Sequence, residues 1–389
     1  MENFIFQNPT RIIFGRGVEN QVGSEVRRYG KKVLLHYGGG SIKKTGLYDR
    51  IIASLKEAGV TYFELAGVQP NPRLSLVKEG IRQCREQGIE LILAVGGGSA
   101  IDSAKAIAMG VPYPGDVWDF FTGKAELKEA MPVGTVLTIP AAGSEASTAS
   151  VITNENGWYK RGFNSEIIYP KFSFLNPELA FSLPQYQVAC GVSDIMAHLM
   201  ERYFTNTPHV ELTDRLIEAT LQTVIHHAPL VLAQPENYDS WAEVMWSGTI
   251  AHNNLLNTGR IGDWASHDIE HEMSAIYDVA HGAGLAVVFP AWMKYLYRHD
   301  VKRFVQYATR VWNVAAAGGS AEETALAGIQ SLESFYHSVG LATSLHEMGI
   351  DGQRLEEMAD KCTNSDKMTL GNFVRLKKAD VWSILKLAQ

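Results

Sequence analysis

The pattern of apolar positions changes character about halfway along the chain. In the first half, short apolar runs alternate with amphipathic stretches. "KVLLHY" (32–37) runs into a glycine turn, "GGGS", and "LYDRIIASLKEAG" beyond it has helical spacing. "TYFELA" (61–66) is followed by "LSLVKEGIRQCREQG", which is helical and ends on glycine. "ELILAVGGGS" (90–99) repeats the arrangement with "AIDSAKAIAMG" behind it, and "PVGTVLTIPAAGSE" supplies a further strand and turn. Strands separated by helices of about 10–15 residues predict right-handed βαβ units on a parallel sheet. From about Pro184 the strand signals nearly vanish. "YQVACGVSDIMAHLMERYF", "ELTDRLIEATLQTVIHHAPLVLA" and "ETALAGIQSLESFYHSVG" place apolar residues at i, i+3 and i+4, the period of helices with one buried face. The pattern predicts an α/β domain over residues 1–185 and an all-α domain over 186–389. At 389 residues the chain exceeds the usual size of a single core, which also favours two domains.

Composition narrows the classes. A hydrophobic content of 46% with 20% charged residues is that of an ordinary globular protein. The net charge of −7 and a pI near 6.0 argue against a nucleic-acid surface. No secretory pattern opens the chain, and no apolar run approaches the roughly 18–20 residues of a membrane span. Cys84, Cys190 and Cys362 are odd in number and far apart, which suits reduced thiols in a cytoplasmic protein.

Two strand-end turns bear on chemistry, Gly38-Gly39-Gly40-Ser41 and Gly96-Gly97-Gly98-Ser99. Glycine permits close backbone approach and positive φ, and the following helix N-terminus offers N–H groups to a diphosphate. Two such turns in successive βαβ units predict a dinucleotide site. No acidic residue ends the "VLLHY" strand, and Lys43 and Lys44 follow the first turn, so NADP(H) is favoured over NAD(H). Asp102, Asn71, Thr138, Ser147 and Lys160 are further candidates near these turns.

In the second half, Asp194 and His198 stand four apart, on one helical face. "GDWASHDIEHEMSAIYDVAHGAG" (262–284) adds His267, His271 and His281. Its "HDIEH" matches the inverted zinc-protease pattern, with His267 and His271 as ligands and Glu270 as base. Two phosphate-type turns have no role in peptide hydrolysis. The competing reading joins Asp194, His198 and two of the three later histidines in a mixed N/O site suited to Fe²⁺, Zn²⁺, Co²⁺ or Mn²⁺.

Over essentially its whole length the chain resembles the iron-containing (group III) alcohol dehydrogenases, in particular their butanol-dehydrogenase-like branch. The likeness rests on "YGGGSIKKTG" (37–46), "PNP" (70–72), "AVGGGSAIDSAKAIA" (94–108), "TIPAAGSEAS" (138–147), "DIMAHLMERYF" (194–204) and "ASHDIEHEMSAIYDVAHGAGLA" (265–286). It implies a Rossmann-like dinucleotide-binding domain (1–185), followed by a helical metal-binding and catalytic domain (186–389), as in dehydroquinate synthase-like folds. It places the metal on Asp194, His198, His267 and His281. The nucleotide falls on Gly38, Gly39, Ser41, Asn71, Gly97, Gly98, Ser99, Asp102, Thr138, Ser147 and Lys160. His271 lines the active site as a candidate proton relay. One departure is Ala142, where the family often has threonine in "ATGSE". The implied reaction is hydride transfer between NAD(P)(H) and a primary alcohol or aldehyde, with a divalent metal (Fe²⁺ or Zn²⁺) polarising the substrate oxygen, in a homodimer. The alternatives are a glycerol-dehydrogenase-like polyol oxidoreductase and a metallohydrolase built on His267 and His271.

Overall fold

The computed structural model describes residues 1–315 and 319–389. It forms two compact units, Gln7–Leu183 and, together, Met1–Phe6 with Pro184–Gln389. The first six residues thus pack with the helical unit, whereas the sequence pattern assigned them to the α/β domain. The Met1 ammonium donates to the Pro208 carbonyl at 2.7 Å, and the Glu2 N–H donates to the Gly259 carbonyl at 2.9 Å. Six residues carry too little periodicity to reveal such a docking.

The α/β unit contains β1 (Arg11–Phe14), α1 (Val22–Arg27), β2 (Lys32–Tyr37), α2 (Ser41–Lys44), α3 (Leu47–Glu57), β3 (Thr61–Leu65), α4 (Leu74–Gln87), β4 (Leu91–Gly96), α5 (Gly98–Gly110), α6 (Trp118–Phe121), β5 (Val133–Leu137), β6 (Ala149–Asn154), β7 (Tyr159–Asn164) and β8 (Phe172–Leu175). Six strands form one sheet in the order β1-β8-β5-β4-β2-β3, every neighbouring pair parallel. β2, β4 and β5 are buried along their length apart from Lys32, as expected of strands covered on both faces. β1 and β8, at four residues each, are absent from the sequence reading because such short runs show no period. β6 and β7 form a separate antiparallel hairpin.

β3 lies beyond β2, while β5, β8 and β1 lie beyond β4. The direction of winding therefore reverses between β2 and β4, which opens a crevice at their carboxyl ends. Both GGGS turns leave the sheet there, since Tyr37 pairs with Val95 at the ends of the two strands.

The helical unit runs through α7 (Gln185–Tyr203), α8 (Glu211–Ala233), α9 (Tyr238–His252), α10 (Ala265–Tyr277), α11 (His281–Leu296), α12 (Val301–Val311), α13 (Ala321–Ser338), α14 (Leu355–Cys362) and α15 (Lys378–Leu387). α7 is buried from Val188 to its end, so it forms the centre of the bundle. α8 is long and apolar enough by composition to cross a membrane. Its Asp214 nevertheless accepts from Arg260 at 2.7 Å and from Arg303 at 2.6 Å, a buried charge network that ties it into the bundle. Cys84, Cys190 and Cys362 are all buried, and none of them forms a disulfide.

Candidate active site

The crevice between β2 and β4 is built from the two glycine turns. None of their six glycines has a φ in the left-handed range, so positive φ, expected from the sequence, is not what requires them. In the second turn the reason is steric. A Cβ on Gly96, Gly97 or Gly98 would lie 2.7 Å from Ala100, 2.9 Å from Ile139 or 2.9 Å from Ala142. At Gly39 and Gly40 a Cβ would meet nothing within 4 Å, leaving open space above the turn. Ser41 begins α2, and Ser99 is the second residue of α5. Asn71 is buried in the left-handed region, at φ +54°, a conformation asparagine tolerates. Thr138, just past β5, donates its N–H to the Gly96 carbonyl at 3.0 Å.

Asp102 does not cap its own helix. Its carboxylate accepts from the Ser144 hydroxyl at 2.5 Å and the Val151 N–H at 2.9 Å, fastening the 144–151 segment to α5. Burial raises its pKa, against the nearby cations Lys105 and Lys160. One turn on, Lys105 is wholly enclosed. Its ammonium donates to the carbonyls of Ser144, Ser147 and Ala149 at 2.7, 2.9 and 2.9 Å. It also reaches the Ser144 and Ser147 hydroxyls at 3.0 and 3.4 Å. Lys105 has no match in the sequence-based site, although it sits three residues after Asp102 in the same motif. Lys160, on β7, is buried and not a surface charge.

Beside the first turn, Lys43 is engaged by a carboxylate that the sequence reading passed over. Its ammonium lies 3.6 Å from Glu64 on β3 and 4.6 Å from the centre of the Tyr48 ring. Glu64 accepts the hydroxyls of Tyr37 and Tyr48 at 2.6 and 2.7 Å. An acid is therefore present near the turn, supplied by the neighbouring strand and not by β2 itself.

In the helical unit, α7 presents Asp194 and His198, α10 presents His267 and His271, and α11 opens on His281. Ligating atoms of Asp194, His267 and His281 all lie within 4.8 Å of one another. The Nδ1 of His198 is 3.6 Å from Asp194 Oδ1, and its ring stacks on His267 at 4.8 Å. His281 Nε2 is 3.8 Å from the same carboxylate oxygen. Burial, then the neighbouring His252 and His267, hold the pKa of His198 far below the usual histidine value and keep it neutral, as a ligand must be. Three imidazoles and one carboxylate are a donor set for a divalent transition metal, and the buried His198 Nδ1 takes no hydrogen bond among the described residues, so the group fits. His271 lies beside this set, its half-buried ring 5.6 Å from that of His281.

Two acids complete the surroundings. Glu201, fully buried on α7, accepts from His267 Nδ1 at 2.7 Å, from the His267 N–H at 3.1 Å and from the Trp264 N–H at 2.6 Å. Burial pushes its carboxyl up to about 8, and the backbone N–H groups of Trp264, His267 and Ser266 pull it back. Trp264 is held at φ +74°, a strained conformation for a non-glycine residue, just ahead of α10. Glu270, also fully buried, contacts His281 Nδ1 and the Ser274 hydroxyl. The residue that a hydrolase would need as an exposed base is thus turned inward. His252 packs on His198 with ring centres 4.2 Å apart, and Arg202 reaches the carbonyl of His198 at 2.8 Å. Glu201 is adjacent to the "DIMAH" pair in sequence, but nothing in its spacing sets it apart from an ordinary surface glutamate.

A divalent-metal donor set, encoded in the same chain as a dinucleotide crevice, belongs to metal-dependent oxidoreductases that use nicotinamide coenzymes. Comparison with known proteins makes the assignment specific. Residues 9–177 match the model of the iron-containing alcohol dehydrogenases, and residues 187–389 match the C-terminal model of the same Fe-containing family. The chain is 47% identical over 386 residues to the probable NADH-dependent butanol dehydrogenase 1 of Bacillus subtilis, with 99% of each chain covered. It is 38% identical over 377 residues to the NADPH-dependent aldehyde reductase YqhD of Escherichia coli, covering 95% of each. The crystal structure of NADH-dependent butanol dehydrogenase A from Thermotoga maritima superposes with a TM-score of 0.96 at 42% identity, covering 100% of this chain and 99% of that one. The chain belongs to the iron-containing alcohol dehydrogenase family, and it is an NAD(P)- and metal-dependent alcohol dehydrogenase or aldehyde reductase.

Proposed function

We propose that the protein is an NADH-dependent dehydrogenase of short primary alcohols, butanol and butyraldehyde among them. The observation that carries this reading is the gathering of Asp194, His267 and His281 within 4.8 Å, with His198 beside them. These four residues hold the cation, either Fe²⁺ or Zn²⁺. When bound, the cation supplies Lewis acidity toward the substrate oxygen and the nicotinamide gives or takes a hydride. Gly38, Gly39, Ser41, Gly97, Gly98 and Ser99 receive the diphosphate at the switch point of the sheet, with Asn71, Asp102, Thr138, Ser147 and Lys160 around them. Asp102 and Lys105 act from behind by keeping the 144–149 segment in place. His271, half-buried next to His281, passes the proton between the substrate oxygen and water.

NADH is preferred here to the NADP(H) expected from Lys43 and Lys44. Two of the three relatives described above are named NADH-dependent, which leaves the expected NADP(H) preference without support. Glu64 supplies a physical reason. It neutralises Lys43 and would repel a ribose 2′-phosphate brought to the same place. The homodimer rests on the family likeness, and the cytoplasmic location on that likeness together with three buried cysteines that form no disulfide.

The test combines coenzyme titration with metal removal. NADH and NADPH are titrated by nucleotide fluorescence, and butyraldehyde reduction is measured after chelation and after restoring Fe²⁺ or Zn²⁺. Tighter NADH binding and metal-restored turnover are expected. Tighter NADPH binding would overturn the coenzyme assignment, and full activity without metal would overturn the metal assignment. His271→Ala should lower kcat with the metal content unchanged.

A further inference from the structure

We infer that Glu270 is a positioning residue of the metal centre, and that with Glu201 it forms a pair of buried carboxylates that orient two of the three histidine ligands. The inference rests on the metal-ligand assignment proposed above. A neutral imidazole carries its proton on one nitrogen and its lone pair on the other, so the group facing Nδ1 decides what Nε2 can do. At His267 the choice follows from the ionised carboxylate. Both oxygens of Glu201 already accept backbone N–H groups, from Trp264 and from His267 itself. Backbone amides cannot reverse a hydrogen bond, so an ionised Glu201 has only acceptors to offer, takes the His267 Nδ1–H and leaves the Nε2 lone pair pointing away.

Glu270 repeats the arrangement on the other side. One oxygen takes the Ser274 hydroxyl and the other faces His281 Nδ1, leaving His281 Nε2 on the side of Asp194, 3.8 Å from its oxygen. Room for this carboxylate is made by α11. A Cβ on Gly284 would stand 2.6 Å from Glu270 Oε1 and 2.8 Å from its Cγ. Four helical positions separate Glu270 from Ser274, and His281 follows at the start of the next helix, so a single side chain links the end of α10 to the beginning of α11. The glutamate of "HDIEH" thereby has a purpose other than proton abstraction: it aims His281.

The two carboxylates differ in how cleanly they can be tested. An amide at position 201 would turn an NH₂ toward a backbone N–H, so Glu201→Gln damages the α10 entry as well as His267. Glu270→Gln keeps an acceptor for His281 Nδ1–H, and its NH₂ can meet Ser274 Oγ, whose hydroxyl has the Val279 carbonyl at 3.2 Å as a second acceptor. The conservative variant therefore keeps the orientation and loses only the charge.

The experiment measures Zn²⁺ dissociation constants of the full-length protein by chelator competition, together with the visible d–d absorption of the Co²⁺-loaded form. Wild type, Glu270→Gln, Glu270→Ala and His281→Ala are compared, and the thermal stability of each metal-free protein is recorded. The expected order of affinity is wild type, then Gln, then Ala, with a total loss of roughly 10–100-fold and an altered Co²⁺ spectrum for Ala. Metal-free stability should not fall in parallel, a split that a purely structural role would not produce. Zn²⁺ affinity within threefold of wild type with an unchanged Co²⁺ spectrum in Glu270→Ala, or in Glu270→Met should the alanine variant not fold, would overturn the inference. Retention of Zn²⁺ by His281→Ala would instead overturn the ligand assignment itself.

Discussion

Gly282 directly follows His281, one of the proposed metal ligands, and marks the tightest helix contact beside that site. An added Cβ there would lie 1.9 Å from the carbonyl oxygen of Cys190, 2.6 Å from its carbonyl carbon and 2.9 Å from its Cα. All three atoms belong to the backbone of α7, so no side chain can rotate out of the way. Real Cβ atoms stay beyond 3.0 Å, and α11 must therefore retreat from α7 by at least about 1.1 Å in Gly282→Ala. Cys190 is one helical turn before Asp194, so the retreat acts on the spacing of His281 and Asp194, now 3.8 Å. Overpacking of this kind costs about 1–3 kcal/mol, and a rigid backbone neighbour puts it at the upper end. A misplacement of about 1 Å at a reacting centre costs on the order of 100-fold in rate. The variant should melt several degrees lower, hold less than stoichiometric metal and lose roughly two orders of magnitude in kcat/KM. The assay is scanning calorimetry, metal analysis and steady-state butyraldehyde reduction on one preparation. Gly39→Ala is the control, because its Cβ meets nothing within 4 Å: stability should stay and only NADH binding should weaken. Wild-type metal content and turnover in Gly282→Ala would refute the view that this contact sets the ligand spacing.

Two further outcomes concern the α/β unit. Lys105→Met removes an ammonium from three carbonyls and two hydroxyls and leaves Asp102 buried beside one cation fewer; breaking such a group costs about 3–5 kcal/mol and should raise the NADH dissociation constant measured by fluorescence, and an unchanged melting temperature would count against it. His36 is fully buried, donating from Nδ1 to the Leu65 carbonyl at 2.9 Å and accepting the Ser103 hydroxyl at 2.8 Å. Burial lowers its pKa from 6.5 to about 4, so the unfolded chain takes up a proton in that interval that the folded one refuses. Stability is complete above pH 6.5 and falls by up to about 3 kcal/mol as the pH drops toward 4. His36→Gln should melt with a shallower dependence on pH over the same range, and an identical slope would remove His36 from the account.

The strand-and-helix alternation, the change to helical periodicity near Pro184 and both glycine turns are all legible in the sequence because they are local patterns. The four-apart spacing of Asp194 and His198 is legible for the same reason. What was missed depends on partners distant in the chain. β1 and β8 are too short to show a period, and they become strands only by pairing with each other and with β5. Glu64 belongs to a different strand from the turn it serves, and reading only the end of β2 for an acid leaves Lys43 looking unopposed. Glu201, Glu270 and Lys105 look like ordinary charged residues of amphipathic helices. Their burial becomes visible only once α11 packs on α7 and α10 and the 144–149 segment closes over α5.

The sequence by itself determined the class of this protein: a parallel α/β unit with two phosphate-type turns, a helical unit with an aspartate and histidines, and a family likeness along the whole length. The first two follow from periodicity and spacing, which the backbone imposes within a few turns of any residue, and the likeness rests on the motifs themselves. The tertiary structure decided how those parts become chemistry. It placed the two turns side by side at the reversal between β2 and β4, brought His267 and His281 to Asp194 from separate helices, and turned two carboxylates inward behind the histidines. Such contacts are set by which faces of distant elements must be buried together, and no short-range pattern in the chain records them.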